Sequence, residues 1–387
     1  MRNPLRQHFP ALHDDRHAYL DFAATALVAR PVIEAVASEM QSPRGNPWRG
    51  AHAWSESATV RLEEARASIA AFAGVASSRL AFTKNTTEGL NIMAFGVGSL
   101  LRPGDEVLLS IFDHHSVLIP WQQSAQRYGF SLVFTGMTAD GQLDLVDFNK
   151  KVTKKTKAIV VTHASNVLGT VLPLAHIIEK AKRVDALMLV DAAQTIGRLP
   201  LNVDGMGIDA LAFAAHKMYG PTGIGALALS QRLLDQLPPL TFGGGATEGS
   251  VPAPGIQKFA AGTPALEAAI GFARATTFIA DHADERHDQA IRALMHESLR
   301  EVPEVTIHGP SYKAPGLPIV SFSIAHIHPH DVAAHLSDNG IYVRSGFHCA
   351  APLAACLHAQ GTVRISGGVP TDAEDIKRLI ETLRQLF

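Results

Sequence analysis

Between residues 80 and 230 short apolar runs alternate with stretches of helical period, and few folds accept that order. Strands are expected at Leu80–Thr83, Glu106–Ile111, Leu132–Thr135, Lys157–Thr162, Ala186–Asp191, Ala210–Ala215 and Ile224–Leu229. Helices are expected at Thr87–Val97, Val117–Tyr128 and Leu174–Arg183. Continuous apolar strands such as KAIVVT need cover on both faces, so the alternation implies βαβ units: an α/β fold with a mainly parallel sheet flanked by helices. Upstream, Tyr19–Thr25 reads as a short extended segment, a helix follows Pro31 to about Met40, and Ser55 is the expected cap of a long helix ending near Gly74. Beyond Thr263-Pro264 the alternation stops. A long helical region reaches about Leu299; strands follow at Val305–His308 and Ile319–Ile324, a helix at His330–Asn339, strands at Tyr342-Val343 and Thr362–Ser366, and a last helix at Ala373–Leu386. With 387 residues the chain exceeds one ordinary core. The expected division is a large α/β domain at 18–265 and a smaller α+β domain made of 1–17 and 266–387.

The charge balance is nearly even, 34 Lys and Arg against 36 Asp and Glu, with no long run of one sign, so nothing calls for nucleic acid or an anionic membrane as partner. No apolar run approaches a membrane span, and prolines and charges interrupt the first twenty residues, so a cytoplasmic location is expected. Two cysteines, Cys349 and Cys356, cannot make a disulfide framework in a chain of this length. The group His326, His328 and His330 surrounds Pro329 without a Cys or carboxylate at ligand spacing, and no metal site is assigned to it.

In an open α/β sheet, ligands bind outside the carboxyl ends of the parallel strands. There the chain repeatedly changes from apolar to polar: His114 and His115 follow one strand, His163 and Asn166 another, Asp191 ends a third, and His216 with Lys217 ends a fourth. A lysine at a strand end, partly removed from water, is nucleophilic enough to hold pyridoxal phosphate as a Schiff base. Asp191 is placed to pair with the pyridine nitrogen, Gln194 to reach the phenolic oxygen, and His115 to stack on the ring and move protons. Thr86 and Thr87, between a strand and a helix, offer hydroxyls and free N–H groups to a phosphate.

The segments YLDFAAT, RGAHAWS, FTKNTTEGLN, FDHHSVLIPWQ, HASNVLGT, VDAAQ, AHKMYGPTGIG, FAAGTP, VRSGFHCAAPL and GTVRIS run in order from Tyr19 onward. Together they resemble the class V, fold type I pyridoxal-phosphate enzymes, in the SufS-type cysteine desulfurase and selenocysteine lyase branch. The resemblance implies that Lys217 binds the cofactor and serves as base and acid at the substrate Cα. It implies phosphate contacts from Thr86, Thr87 and His216, with Thr263 reaching across from the second subunit of a homodimer. It assigns Asn166 and Arg364 to the substrate carboxylate and Cys349, on a mobile loop, to attack on the substrate sulfur. Cys356 is expected to be core or incidental. The chain departs from the branch at Ala214, where a serine is usual before the histidine and lysine, and at Phe347, where a histidine is frequent. Cysteine desulfuration, with sulfur passing from a Cys349 persulfide to an acceptor protein or small thiol, is the expected activity. Selenocysteine lyase, cysteine sulfinate desulfinase, another class V lyase or transferase, and a pyridoxal-phosphate scaffold without turnover are the alternatives.

Overall fold

The computed structural model describes residues 2–357 and 360–387. Helices α1 (Arg30–Gln41) and α2 (Ala53–Ala73) precede β1 (Leu80–Thr83), α3 (Thr86–Gly98), β2 (Glu106–Ser110), α4 (His115–Tyr128) and β3 (Ser131–Thr135). Then come β4 (Thr156–Thr162), α5 (Leu174–Arg183), β5 (Leu187–Asp191), β6 (Ala210–Ala214) and β7 (Gly225–Leu229). The seven strands form one sheet in the order β1-β7-β6-β5-β4-β2-β3. The run from β6 to β3 is parallel, whereas β7 is antiparallel to both of its neighbours. The reversal follows from the connection. The Gly/Pro-rich segment 215–224 is too short for the crossover that a parallel return requires.

Successive side chains on a strand point to opposite faces, and the two faces here are separate apolar clusters. Leu108, Ile159, Val161, Val190, Leu211 and Phe213 pack with α2, α5 and residues of the helix beginning at Leu266, while Val107, Leu109, Ala158, Val160, Leu189 and Ala212 pack with α3 and α4. Burying a ring the size of Phe213 contributes about 2–3 kcal/mol, and this one meets Phe272 edge-on with centroids 5.7 Å apart.

The chain continues through α6 (Leu266–His282), α7 (Glu285–Arg300), β8 (Val305–His308), β9 (Ile319–Ile324), α8 (Pro329–Asp338), β10 (Arg344–Gly346), β11 (Thr362–Ser366) and α9 (Ala373–Leu383). The strands make a second, antiparallel sheet in the order β8-β9-β11-β10, with a core that includes Met295, Phe322, Leu336, Val363 and Leu379. Ala18–Tyr19 pairs in parallel with Ile341–Tyr342, and Arg2 and Arg6 bind Asp375 of α9 at 2.9 and 3.1 Å, so the start of the chain is tied to this second layer.

Several boundaries differ from the expectation. The long helical region is broken between α6 and α7, where Ala283 is extended and the Asp284 side chain accepts the Arg286 N–H as a new cap. The cap of α2 is His52, which accepts the Ser55 N–H through its ring, and Ser55 lies inside the helix. The strand expected at Tyr342-Val343 is two shorter ones, Ile341–Tyr342 and β10, which pair with different partners. After Cys349 the chain forms a short helix, Ala351–Cys356, which leaves Cys356 exposed rather than in the core.

Candidate active site

A cavity of about 220 Å³ opens at the carboxyl ends of β4, β5 and β6, against the N-terminus of α3. Of the residues singled out in the sequence, Thr86, Thr87, Asn166, Asp191, Gln194, His216, Lys217 and Arg364 line it. The β4, β5 and β6 register sets Thr162 beside Asp191 and Asp191 beside Ala212, so two of the polar strand ends meet at one level. Asn85 caps α3 by accepting the Glu88 N–H at 2.9 Å, and the N–H groups of Thr86 and Thr87 have no acceptor within the helix. That turn seats directly on β7. A Cβ at Gly225 would lie 2.6 Å from the Phe213 carbonyl oxygen and 2.9 Å from the Asn85 carbonyl carbon, so only glycine allows the approach.

Lys217 ends a tight turn, Ala215–Lys217, directly after β6. Its Nζ donates to the carbonyl oxygens of Ala23 at 2.6 Å and Ala24 at 3.3 Å. Burial, reinforced by Arg364, pushes the amine down to about 8, against the pull of Asp191 and Asp21. Burial pushes Asp191 up to about 6, so it remains mostly ionised at neutral pH, and its Oδ1 accepts the Ala193 N–H at 2.9 Å. Gln194 Nε2 donates to the Ala23 carbonyl at 2.9 Å. His216 lies with Nδ1 3.3 Å from Thr25 Oγ1, and burial pushes it down to about 4. Arg364, with 1% of its surface exposed, donates from Nη1 to the Asn166 carbonyl at 2.9 Å and from Nη2 to Asp21 Oδ1 at 2.8 Å.

Three of the expected residues do not line this cavity. His115 is the first residue of α4, and its Nε2 accepts the Ala351 N–H at 3.1 Å. The histidine in the cavity wall is its neighbour His114, the cap of α4. His114 Nδ1 accepts the Ser116 N–H at 3.0 Å, which leaves Nε2 to carry the proton, and burial and the Lys217 charge push this ring down to about 4. Thr263 is exposed and lines a different cavity of about 400 Å³ with Trp48, Arg66 and Lys84. Cys349, partly buried, stands beside the wall residue His348. His163 turns away as well, with Nδ1 3.1 Å from Thr195 Oγ1.

The segment leading to Cys349 is pinned from both sides. Asn166 Nδ2 donates to the His348 carbonyl at 2.8 Å, and the His115 N–H donates to the Cys349 carbonyl at 2.8 Å. His348 and Cys349 have φ of 52° and 56°, in the left-handed region, which costs a non-glycine residue about 1 kcal/mol or more and concentrates at functional sites. His348 Nε2 lies 2.9 Å from Thr362 Oγ1, and burial pushes this imidazole down to about 3. Asn85, Ser116, Thr162, Arg344 and His348 therefore join the wall without having been named for it, and His114, named at the strand end without a role, joins them. Asn85, Ser116, Thr162 and His348 each adjoin in sequence a residue that was named, whereas Arg344 carries no such signal.

The aminotransferase class-V family model matches residues 18–379. The chain belongs to the aminotransferase class V family. Among solved structures, this class V chain superposes on the apo cysteine desulfurase of Thermococcus onnurineus with a TM-score of 0.95 and 37% identity, covering 100% of this chain and 98% of that one. The cysteine desulfurase CsdA of Escherichia coli gives a TM-score of 0.90 and 31% identity over 98% of this chain and 96% of that one. A cysteine desulfurase of Haloferax volcanii is 34% identical over 399 residues, covering 98% of this chain and 92% of the relative.

The cofactor of this class V chain is pyridoxal phosphate. The wall fits it. Buried polar atoms without a partner are concentrated there: Thr86 Oγ1, Thr162 Oγ1, Asn166 Oδ1, His348 Nδ1 and Arg364 Nε all belong to residues lining the cavity. Unmade hydrogen bonds of buried groups cost about 1–3 kcal/mol each, and a polar ligand in the cavity satisfies them. Among the described residues no group of three or more His, Cys, Asp or Glu is placed to hold a metal ion, and no helix is long and apolar enough to cross a membrane.

Proposed function

We propose that this protein is a cysteine desulfurase that converts L-cysteine to L-alanine and takes the sulfur on Cys349 as a persulfide. Pyridoxal phosphate, when bound, supplies the electron sink for bond changes at the substrate Cα and Cβ. Lys217 holds the cofactor through its amine, and in the neutral form, which burial makes far more accessible than in a solvated lysine, it accepts and returns the proton at Cα. Asp191 offers a negative charge to the ring nitrogen, Gln194 a donor to the phenolic oxygen, and His114 a neutral imidazole face in place of the expected His115. Thr86 and Thr87 present N–H groups and hydroxyls to the phosphate at the positive end of α3, with His216 beside them. Ala214 contributes no hydroxyl, and the phosphate relies on the threonines. Arg364 and Asn166 bind the substrate carboxylate, which suits the planar guanidinium and its free Nε.

The sulfur step belongs to Cys349. Its thiolate attacks the substrate sulfur; the S–S bond forms as the carbon–sulfur bond breaks, and the electron pair left on carbon takes a proton to give alanine. The observation that carries this reading is the double anchoring of the strained His348-Cys349 pair to Asn166 and to the head of α4. On the same reading the persulfide passes its sulfur to an acceptor protein or small thiol, and a homodimer completes each site with Thr263 of the neighbouring subunit. Residues 18–265 form the cofactor-binding domain, and 1–17 with 266–387 form the smaller domain that carries Cys349. A cytoplasmic location follows the same proposal. The test is alanine release from cysteine, selenocysteine and cysteine sulfinate, with and without a thiol acceptor, by the wild type and Cys349→Ala. Loss of release from cysteine in the variant supports the reading, and undiminished release of alanine with sulfide overturns it.

A further inference from the structure

The order of the central sheet reverses between β2 and β4, because the chain leaves β2 for β3 on one side and returns to β4 on the other. Ligands of open α/β sheets bind in the crevice at such a point. The ladder between these strands pairs Glu106 with Thr156, Val107 with Ala158 and Leu108 with Ile159, and ends there, although β2 continues to Ser110 and β4 to Thr162. The gap is closed by one side chain. Asp113, 1% exposed, accepts the Ser110 N–H on Oδ2 at 2.7 Å and the Thr162 N–H on Oδ1 at 2.8 Å. The residue after it is His114, and Thr162 is the facing strand end; both line the cavity.

A carboxylate is a costly group to enclose, and burial pushes this one up to about 7 even though both N–H groups stabilise its ionised form. No other side chain of its size accepts two diverging N–H donors at once. We propose that Asp113 is a positioning residue for the cofactor site, its carboxylate clamping the ends of β2 and β4 so that the His114 ring and the Thr162 hydroxyl stay in the cavity wall. The proposal rests on the cofactor reading of the cavity and is independent of the chemistry of Cys349.

The test is Asp113→Asn, which keeps the shape but turns an NH2 toward one of the two donors. In the apoprotein, exchange of the Ser110 and Thr162 amides is expected to accelerate. Titrated with pyridoxal phosphate, the variant is expected to bind about tenfold more weakly, the size of one charge-assisted hydrogen bond. Its bound absorption band is expected to move toward that of His114→Ala, and the two substitutions together are expected to combine less than additively. A variant with a lowered Tm but wild-type affinity and band has lost only a structural contact, and that result overturns the proposal. If Asp113→Asn does not fold, Asp113→Glu, which keeps the charge on a longer arm, is measured instead and the same outcomes decide. Failure of the wild type to bind pyridoxal phosphate at Lys217 overturns the cofactor reading, whereas normal binding by wild type and variant alike overturns only the role of Asp113.

Discussion

Lys217 can be tested without any turnover, because its environment fixes how readily its amine loses a proton. The amine is pushed from the ordinary lysine value down to about 8 by burial first and by Arg364 second, while Asp191 and Asp21 oppose the shift. At about 1.4 kcal/mol per unit, the folded apoprotein disfavours the ammonium by roughly 3 kcal/mol relative to an exposed lysine. At pH 7.5 about a quarter of the molecules then carry a neutral amine, against about one in a thousand for a solvated lysine. The sign for stability follows. Below about pH 8 the buried ammonium opposes folding, and the opposition disappears as pH rises through 8 toward the unfolded value. Two substitutions separate the causes. Asp191→Asn removes an attractive charge and lowers the half-point further, whereas Arg364→Met removes a repulsive one and raises it, each by about one unit. The assay is reductive methylation of the apoprotein across pH, with the Lys217 peptide followed by mass spectrometry. A wild-type half-point near that of surface lysines, or shifts of the same sign in both variants, refutes the reasoning.

Gly225→Ala forces a Cβ against the Phe213 carbonyl and the Asn85 turn; it is expected to destabilise the protein by about 1–3 kcal/mol and to weaken pyridoxal phosphate binding, read by thermal unfolding and by titration. The neighbouring histidines should part company. His114→Ala shifts the absorption of the bound cofactor, while His115→Ala leaves the band in place and slows sulfur transfer by removing the acceptor that holds the Ala351 N–H.

The alternation of apolar strands and helices was enough to place Asp191, Asn166 and Lys217 at one end of one sheet, because strands buried on both faces leave few other arrangements. The reversed β7 was less visible, since periodicity records burial and not direction. His114 and His115 mark the limit of what residue type and spacing decide. A shift of one residue in the helix start decides which ring faces the cavity, and the sequence His-His-Ser supports either start. The left-handed backbone of His348 and Cys349 was equally hidden, because residues other than glycine do not announce positive φ. The role of Asp113 is hidden for a related reason: it depends on where the β2–β4 ladder ends, and that is a property of the sheet.

The central claim is that Cys349 receives the sulfur of cysteine, and the most direct measurement is the mass of the Cys349 peptide after the holoenzyme is mixed with L-cysteine and trapped by alkylation. The account predicts a Cys349 peptide heavier by one sulfur atom, formed with alanine in equal amount, and no such adduct on Cys356 in the first turnover. Alanine formation in the same first turnover, with Cys349 unmodified, would contradict it.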